Sequence, residues 1–366
     1  MSFVSRFAAP AATVVVTAAA VLGAMGVAPA AAVSTVSVQQ VAGATALSTI
    51  TKNDAPITDD SPFWRKVVND DDPRTEEVLA YSPAMNRQVP LAILKAEKPN
   101  APTLYLLNGG DGGEGGANWI QQSDVLSFYR DKGFNVVIPM AGKFSYYTDW
   151  VEDNENLGGP QKWETFLTKE LPGPLENYLH ANGNRAIAGM SMSATSSLLL
   201  AEHHPGFYGA IGSFSGCAAT STPLPWFYLQ QTLQRGKATP EQMWGPMGGE
   251  YNVYNDALVN AEKLRGHEIY VSNGSGTAGA WDLPSSPRLA NVPEALKGVA
   301  MAETIGVGGV IEGATNNCTH NLQAKLNSLG IPAQFQFNNT GTHSWGYWND
   351  DLRNFLPVLT RGLGLA

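Results

Sequence analysis

The chain contains very little cysteine, and this shortage argues against a structural metal site. Only Cys217 and Cys318 occur among its 366 residues, and no histidines stand near them at ligand spacing. Structural zinc sites take four protein ligands, most of them cysteine or histidine. We therefore expect no metal. The two cysteines could instead pair as one disulfide closing a long loop, provided that the protein is exported to an oxidising compartment.

Charged residues are also scarce, and they are unbalanced. They make up 15% of the chain, with 32 acidic side chains against 23 basic ones, and the formal net charge is −9. No stretch concentrates lysine and arginine. Because a chain of this charge repels polyanions, the sequence predicts no nucleic-acid partner.

Long apolar runs are missing from all but the N-terminus. There, Arg6 precedes an alanine- and valine-rich stretch at 11–28, and three alanines follow at 30–32. A cation, an apolar run and small residues in this order predict a signal peptide at 1–32, cleaved near Ala32. An uncleaved anchor is the alternative, since 11–28 is nearly long enough to span a bilayer. We expect a secreted or envelope-associated protein with no stable transmembrane span after cleavage, able to contact the envelope peripherally.

The remainder has the pattern of one α/β domain. Residues 33–62 are small, polar and aperiodic, which predicts a flexible lead-in, and the domain is expected at 63–366 with an inserted segment at 218–249. Short apolar runs such as "PTLYLLNGG", "FNVVIPM", "RAIAGM" and "EIYVSNG" alternate with helix-like segments. This alternation predicts a mostly parallel central sheet with helices on both faces.

One junction between a strand and a helix carries a serine. In "AIAGMSMSATSSLLLAEHH", Ser191 follows an apolar run and Gly189, and a helix-like segment begins at Ser193. This order resembles the nucleophile elbow G-x-S-x-G, with Ser193 at its fifth position. The alternative is a serine that only caps the helix.

A nucleophilic serine needs a base and an acid. His343 in "NNTGTHSWGYW" follows the last predicted strand, where hydrolases of this topology carry their histidine; the alternative is a histidine packed among the neighbouring aromatic rings. The orienting acid should lie between serine and histidine along the chain. Spacing alone leaves four candidates open: Asp282, Glu294, Glu303 and Glu312.

The tetrahedral oxyanion of acyl transfer needs two backbone N–H donors. Met192, directly after the serine, supplies one, and Gly110 in the glycine-rich "LYLLNGGDGGEGGANW" is the natural second. A phosphate-binding loop is the rival reading of these glycines. No G-K-[ST] follows them and no helix opens directly from them, so we expect no cofactor.

Six longer motifs follow one another between Glu77 and the C-terminus: "LYLLNGG", "VVIPMAGKFSYYTDW", "KWETFLTKELP", "GMSMSATSSLLLAEHHPGFYGAIGSFSG", "MWGP" and "GTHSWGYW". In these motifs the chain resembles the secreted mycoloyltransferases of mycolate-walled actinobacteria, the antigen 85 type of α/β-hydrolase. The resemblance implies an α/β-hydrolase fold with Ser191 as nucleophile, His343 as base and Glu303 as acid, with Glu312 second. Gly110 and Met192 would form the oxyanion hole, and Trp345 would line the acyl-acceptor site.

The resemblance also implies a reaction. Such enzymes take a mycoloyl chain from trehalose monomycolate and pass it to a second trehalose monomycolate or to cell-wall arabinogalactan. Asn108 and Asp111 stand in the loop where the family has an aspartate and an arginine that hold trehalose, so they are the expected sugar contacts, although the arginine is absent. A Cys217–Cys318 bridge would steady the neighbourhood of the acid. There are two alternatives. One is a secreted carboxylesterase with the same triad, and the other is a catalytically inactive relative that binds carbohydrate or matrix protein.

Overall fold

The strands of the described residues pair into a single sheet. The computed structural model describes residues 45–69, 72–290 and 292–366, so the signal peptide predicted at 1–32 lies outside the described residues. The strands are β1 (Thr49–Lys52), β2 (Thr75–Ser82), β3 (Arg87–Leu94), β4 (Thr103–Leu107), β5 (Asn135–Pro139), β6 (Arg185–Met190), β7 (Ala210–Phe214), β8 (Glu268–Asn273) and β9 (Gln334–Phe337).

Helices connect most of these strands. They are α1 (Phe63–Val68), α2 (Trp119–Gln122), α3 (Val125–Tyr129), α4 (Trp163–Thr165), α5 (Pro172–Leu179), α6 (Met192–His203), α7 (Pro223–Gln234), α8 (Pro240–Trp244), α9 (Glu250–Tyr254), α10 (Glu294–Glu303), α11 (Gly309–Leu329) and α12 (Trp345–Gly362). A π-helical turn, Thr304–Gly308, joins α10 to α11. No helix in the described part of the chain is long and apolar enough to cross a membrane.

The order of strands across the sheet is β1-β2-β3-β5-β4-β6-β7-β8-β9. The first three pairings are antiparallel, and every pairing from β5/β4 to β8/β9 is parallel. Ligand sites in such sheets lie beyond the carboxyl ends of the parallel strands. The predicted mostly parallel sheet is confirmed.

Helices cover both faces of this sheet. On β4, Leu104 and Leu106 belong to one apolar core, and Tyr105 and Leu107 belong to the other, as the two-residue period of a strand requires. The first core includes Phe355 and other residues of α12, and the second includes the leucines of α6. These packed layers hold the strand ends rigid, which is what a catalytic site needs.

The boundary predicted at residue 63 is wrong in one respect. Within the predicted lead-in 33–62, residues 49–52 form β1, which pairs antiparallel with β2 from Thr49↔Tyr81 to Lys52↔Val78. The segment "TITK" is rich in β-branched residues but mostly exposed, as is typical of an edge strand. A strand with so little buried surface leaves almost no apolar pattern to detect.

Candidate active site

Ser191 occupies a strained corner between β6 and α6. Its backbone adopts φ 57° and ψ −121°, a conformation that L-residues rarely take, and its N–H donates to the Phe214 carbonyl at 2.9 Å. The turn is tight because Gly189 lacks a side chain: a Cβ there would lie 2.3 Å from the Ser193 carbonyl oxygen. The corner presents the serine hydroxyl beyond the end of the sheet, as in a nucleophile elbow.

The imidazole of His343 lies directly against this hydroxyl. His343 Nε2 is 2.7 Å from Ser191 Oγ although 152 residues separate them in sequence. The loop between β9 and α12 carries the histidine, and its backbone N–H donates to the Gly308 carbonyl at 3.1 Å. The Trp348 ring and the imidazole meet edge to face, with ring centroids 4.9 Å apart. The structure thus brings together the predicted nucleophile and the predicted base.

The acid in contact with the histidine is Glu312, on α11. Its Oε2 lies 2.8 Å from His343 Nδ1, and its side chain is almost fully buried. Because a carboxylate only accepts hydrogen bonds, Nδ1 must carry the proton, which leaves Nε2 free to accept the proton of Ser191. The carboxylate therefore selects the imidazole tautomer that a general base requires.

Three further donors hold the other carboxylate oxygen. Glu312 Oε1 accepts hydrogen bonds from the Ser215 hydroxyl (2.8 Å), the Asn273 side-chain amide (2.9 Å) and the Gly274 backbone N–H (2.6 Å). Ser215 in turn accepts a hydrogen bond from Trp348 Nε1 at 3.0 Å. These contacts come from the ends of β7 and β8, so the sheet itself fixes the acid.

The assignment of the acid to Glu303 is wrong. Glu303 is exposed at the end of α10 and lies nine residues before the glutamate that contacts His343. Both glutamates sit on the helical segment before the last strand, where the resemblance puts the acid. Of the two, only Glu312 points into the protein. Between them the chain passes through a π-helical turn, and α11, which carries Glu312, packs against β8.

The other acidic candidates have different places. Asp282 is fully buried, and its carboxylate accepts hydrogen bonds from the Thr342 hydroxyl at 2.7 Å and the Tyr347 hydroxyl at 2.6 Å. It therefore braces the histidine loop from both sides without touching the imidazole. Glu294 is exposed at the start of α10 and pairs with Lys297.

The backbone amides of Gly110 and Met192 have no hydrogen-bond acceptor among the described residues. Met192 opens α6 directly after the serine, and Gly110 lies in the loop after β4. The Gly110 carbonyl accepts the N–H of Phe144 at 2.8 Å, which anchors this loop to the one after β5. Two unpaired amides near the elbow are the arrangement that binds an oxyanion, and their role there stays a prediction.

Of the two predicted sugar contacts, Asn108 is wrong, whereas the role of Asp111 stays a prediction. Asn108 is fully buried, where its amide donates to the Pro139 carbonyl at 2.9 Å and its Oδ1 accepts the Trp119 N–H at 3.1 Å. It therefore holds the loop and cannot touch a substrate. Asp111 is half-buried, and its carboxylate caps the amides of Gly113 and Ala117. Burial raises the pKa of the Asp111 carboxyl above its ordinary value, against the effect of these donors.

Trp345 lies beside the histidine at the first turn of α12. It is half-buried and meets Trp119 and Trp348 edge to face, with ring centroids 5.2 and 5.3 Å apart. Its position two residues after His343 is compatible with a lining role, which stays a prediction. Among the described residues, no group of three histidine, cysteine or acidic side chains is placed to hold a metal ion.

Cys217 and Cys318 form a disulfide, as predicted. Cys217 follows the end of β7 two residues after Ser215, and Cys318 lies on α11 six residues after Glu312. The covalent bond therefore joins the two segments that the Ser215–Glu312 hydrogen bond also joins. The bridge steadies the surroundings of Glu312 rather than those of Glu303.

The chain is similar to a family model, to named relatives and to a solved structure. The family model "Esterase" matches residues 82–359. The chain is 31% identical over 298 residues to the diacylglycerol acyltransferase/mycolyltransferase Ag85A of Mycobacterium tuberculosis, covering 79% of this chain and 81% of that protein. It is 30% identical to the corresponding Ag85B of Mycolicibacterium smegmatis, covering 79% and 85%. The crystal structure of Mycobacterium tuberculosis MPT51 superposes with a TM-score of 0.64 at 25% identity, covering 79% of this chain and 98% of that one.

Proposed function

Because the chain belongs to the esterase family, and within it to the antigen 85 type of acyltransferase, we propose that it transfers a mycoloyl group. The donor is trehalose monomycolate, and the acceptor is a second trehalose monomycolate or cell-wall arabinogalactan. The observation that carries the proposal is the hydrogen-bonded chain from Glu312 through His343 to Ser191. The protein acts outside the cell or in the envelope, after removal of residues 1–32.

In the first half-reaction, Ser191 Oγ attacks the ester carbonyl carbon while His343 Nε2 takes the hydroxyl proton. The oxygen of the tetrahedral intermediate becomes an anion that accepts the Gly110 and Met192 N–H groups. His343 then gives its proton to the leaving sugar oxygen, and the mycoloyl group remains as an ester on Ser191. This is covalent catalysis with residues of the chain alone.

In the second half-reaction, a sugar hydroxyl takes the place of the released sugar. His343 removes the proton of that hydroxyl, the new oxygen attacks the acyl-enzyme, and Ser191 regains its proton. Glu312 stabilises the imidazolium that forms in both halves. Each oxyanion donor contributes about 10²–10³-fold to the rate of such reactions.

A serine-directed phosphonate with mass spectrometry of the Ser191 peptide tests the nucleophile. We expect one adduct on Ser191 in the wild-type protein and none in Ser191→Ala. Ser191→Ala and His343→Ala should each lower the acylation rate by about three orders of magnitude or more without unfolding the protein. Labelling at another residue, or near-normal turnover in either variant, contradicts the assignment.

Product analysis tests the reaction class. The enzyme is given an acyl ester with and without trehalose, and the products are separated by mass. A transferase yields the trehalose ester, whereas the alternative, a carboxylesterase with the same triad, yields only the free acid.

A further inference from the structure

A stretch of the chain beside the candidate catalytic residues exposes several large apolar side chains to solvent. In the stretch 294–311, which we term the apolar ridge, Val299 is 66% exposed, Val307 61% and Val310 75%. The complete set of large exposed apolar residues on the ridge is Leu296, Val299, Ile305, Val307, Val310 and Ile311. Monomeric proteins seldom expose so many large apolar side chains in one place unless the patch binds something.

The ridge is unlike an ordinary surface helix. No residue of α10 is buried, so the helix stands off the body instead of packing an apolar stripe against it. Between residues 296 and 311 the charges are Lys297 and Glu303, and Lys297 is paired with Glu294 at 2.8 Å. The ridge therefore offers apolar contact and almost no net charge.

The ridge runs directly into the candidate catalytic site. Ile311 precedes Glu312, and the Gly308 carbonyl accepts the backbone N–H of His343 at 3.1 Å. Whatever covers the apolar side chains therefore lies next to the segment that carries Glu312 and that holds the backbone of His343.

We propose that the apolar ridge is a lipid-docking surface, which inserts into the surface of a lipid layer and holds the active site against it. The inference rests on the proposed function, because an enzyme that takes a long-chain ester from a lipid layer must meet that layer at its catalytic opening. Continuity of the ridge with His343 and Glu312 favours a lipid layer as occupant over a second copy of the chain. Since the net charge of the chain is −9, apolar insertion rather than attraction to anionic headgroups would supply the affinity.

The test compares two double variants of the full chain. Val299→Ser/Val310→Ser removes the two most exposed valines of the ridge, and Val151→Ser/Val259→Ser removes two exposed valines elsewhere, which are 52% and 53% exposed. Neither change alters the charge, and serine and valine have similar helix propensities. Both variants keep the same N-terminal segment, so any binding by that segment cancels in the comparison.

Cosedimentation with phosphatidylcholine vesicles is the readout. We expect Val299→Ser/Val310→Ser to weaken partitioning by about tenfold, from the apolar area that two half-inserted valines would bury. The control should match the wild type, and added salt should change neither. Equal partitioning of all three proteins overturns the proposal. Light scattering without vesicles gives a second outcome that overturns the proposal: a dimer in the wild type and in the control, but a monomer in Val299→Ser/Val310→Ser. That result would assign the ridge to contact with a second copy of the chain.

Hydrolysis of a soluble short-chain ester separates this proposal from the proposed function. Both double variants should hydrolyse p-nitrophenyl butyrate at the wild-type rate, while only the ridge variant should lose activity on an ester embedded in vesicles. A wild-type protein that binds vesicles but hydrolyses neither ester would leave the docking surface standing and refute the acyl transfer.

Discussion

Replacing Glu312 by glutamine tests the acid assignment without removing the side chain. Glu312 Oε1 accepts three hydrogen bonds, from Ser215, Asn273 and Gly274. In Glu312→Gln the single amide oxygen best satisfies these three donors, which turns the amide NH₂ toward His343. The substitution thus keeps the buried network and changes only the contact at Nδ1.

That one change forces the wrong tautomer on the imidazole. An NH₂ group donates, so Nδ1 of His343 must accept, and the remaining proton moves to Nε2. Nε2 then lies 2.7 Å from Ser191 Oγ with no lone pair available to take the hydroxyl proton. Loss of the orienting carboxylate in triads of this kind lowers kcat by about 10⁴, and we expect a loss of about 10³–10⁴ here.

The matched control is Glu303→Gln, the same substitution at the exposed glutamate of α10. It should leave kcat within about twofold and stability within about 0.5 kcal/mol. Initial rates on p-nitrophenyl butyrate provide the measurement, with thermal unfolding to confirm that both variants are folded. If Glu312→Gln retains a tenth of the wild-type kcat, or if Glu303→Gln falls as far, the reasoning from tautomers is refuted.

Three further substitutions test other parts of the structure. Cys217→Ser/Cys318→Ser removes a bridge across 101 residues and should lower the free energy of unfolding by about 2–5 kcal/mol; an unchanged melting temperature would contradict this. Gly189→Ala should abolish turnover, because the new Cβ would lie 2.3 Å from a backbone oxygen; normal kinetics would show that the elbow can shift. Burial raises the pKa of Asp351 to about 7, so the folded state should lose stability as pH rises from about 4 through 7. Denaturant titrations at pH 5 and 8 should show about 2–4 kcal/mol of this loss in the wild type but not in Asp351→Asn.

The local features of the site could be predicted from the sequence. Gly189, Ser191 and the following helix lie within one short stretch, so the elbow leaves a signal in adjacent residues. The parallel strands could be predicted from the sequence for the same reason, since each is a short apolar run bounded by turn residues. His343 could be found from chain order, because it follows the last predicted strand and hydrolases of this topology carry their histidine in that loop.

The acid could not be found this way, because its environment depends on contacts between distant segments. Glu303 and Glu312 share one helical stretch, and helical periodicity does not tell which of them faces the protein when a π-helical turn interrupts the register. The prediction that Asn108 contacts the sugar was wrong for a related reason. It was based on the position of Asn108 in the loop, but the side chain points inward to the backbone of β5 and α2.

Glycine spacing is the signal that would have separated the two glutamates. A Cβ on Gly309 would lie 2.6 Å from the Gly276 carbonyl oxygen, and a Cβ on Gly276 would lie 2.5 Å from that of Gly309. Here the start of α11 and the loop after β8 approach so closely that neither of these two positions has room for a side chain. Such an approach brings the next turn of α11, which carries Glu312, within hydrogen-bonding distance of Gly274. In "GVGGVIEGA" the glycines surround Glu312 and leave Glu303 outside, so a cluster of glycines within a helical stretch indicates which acid meets the sheet.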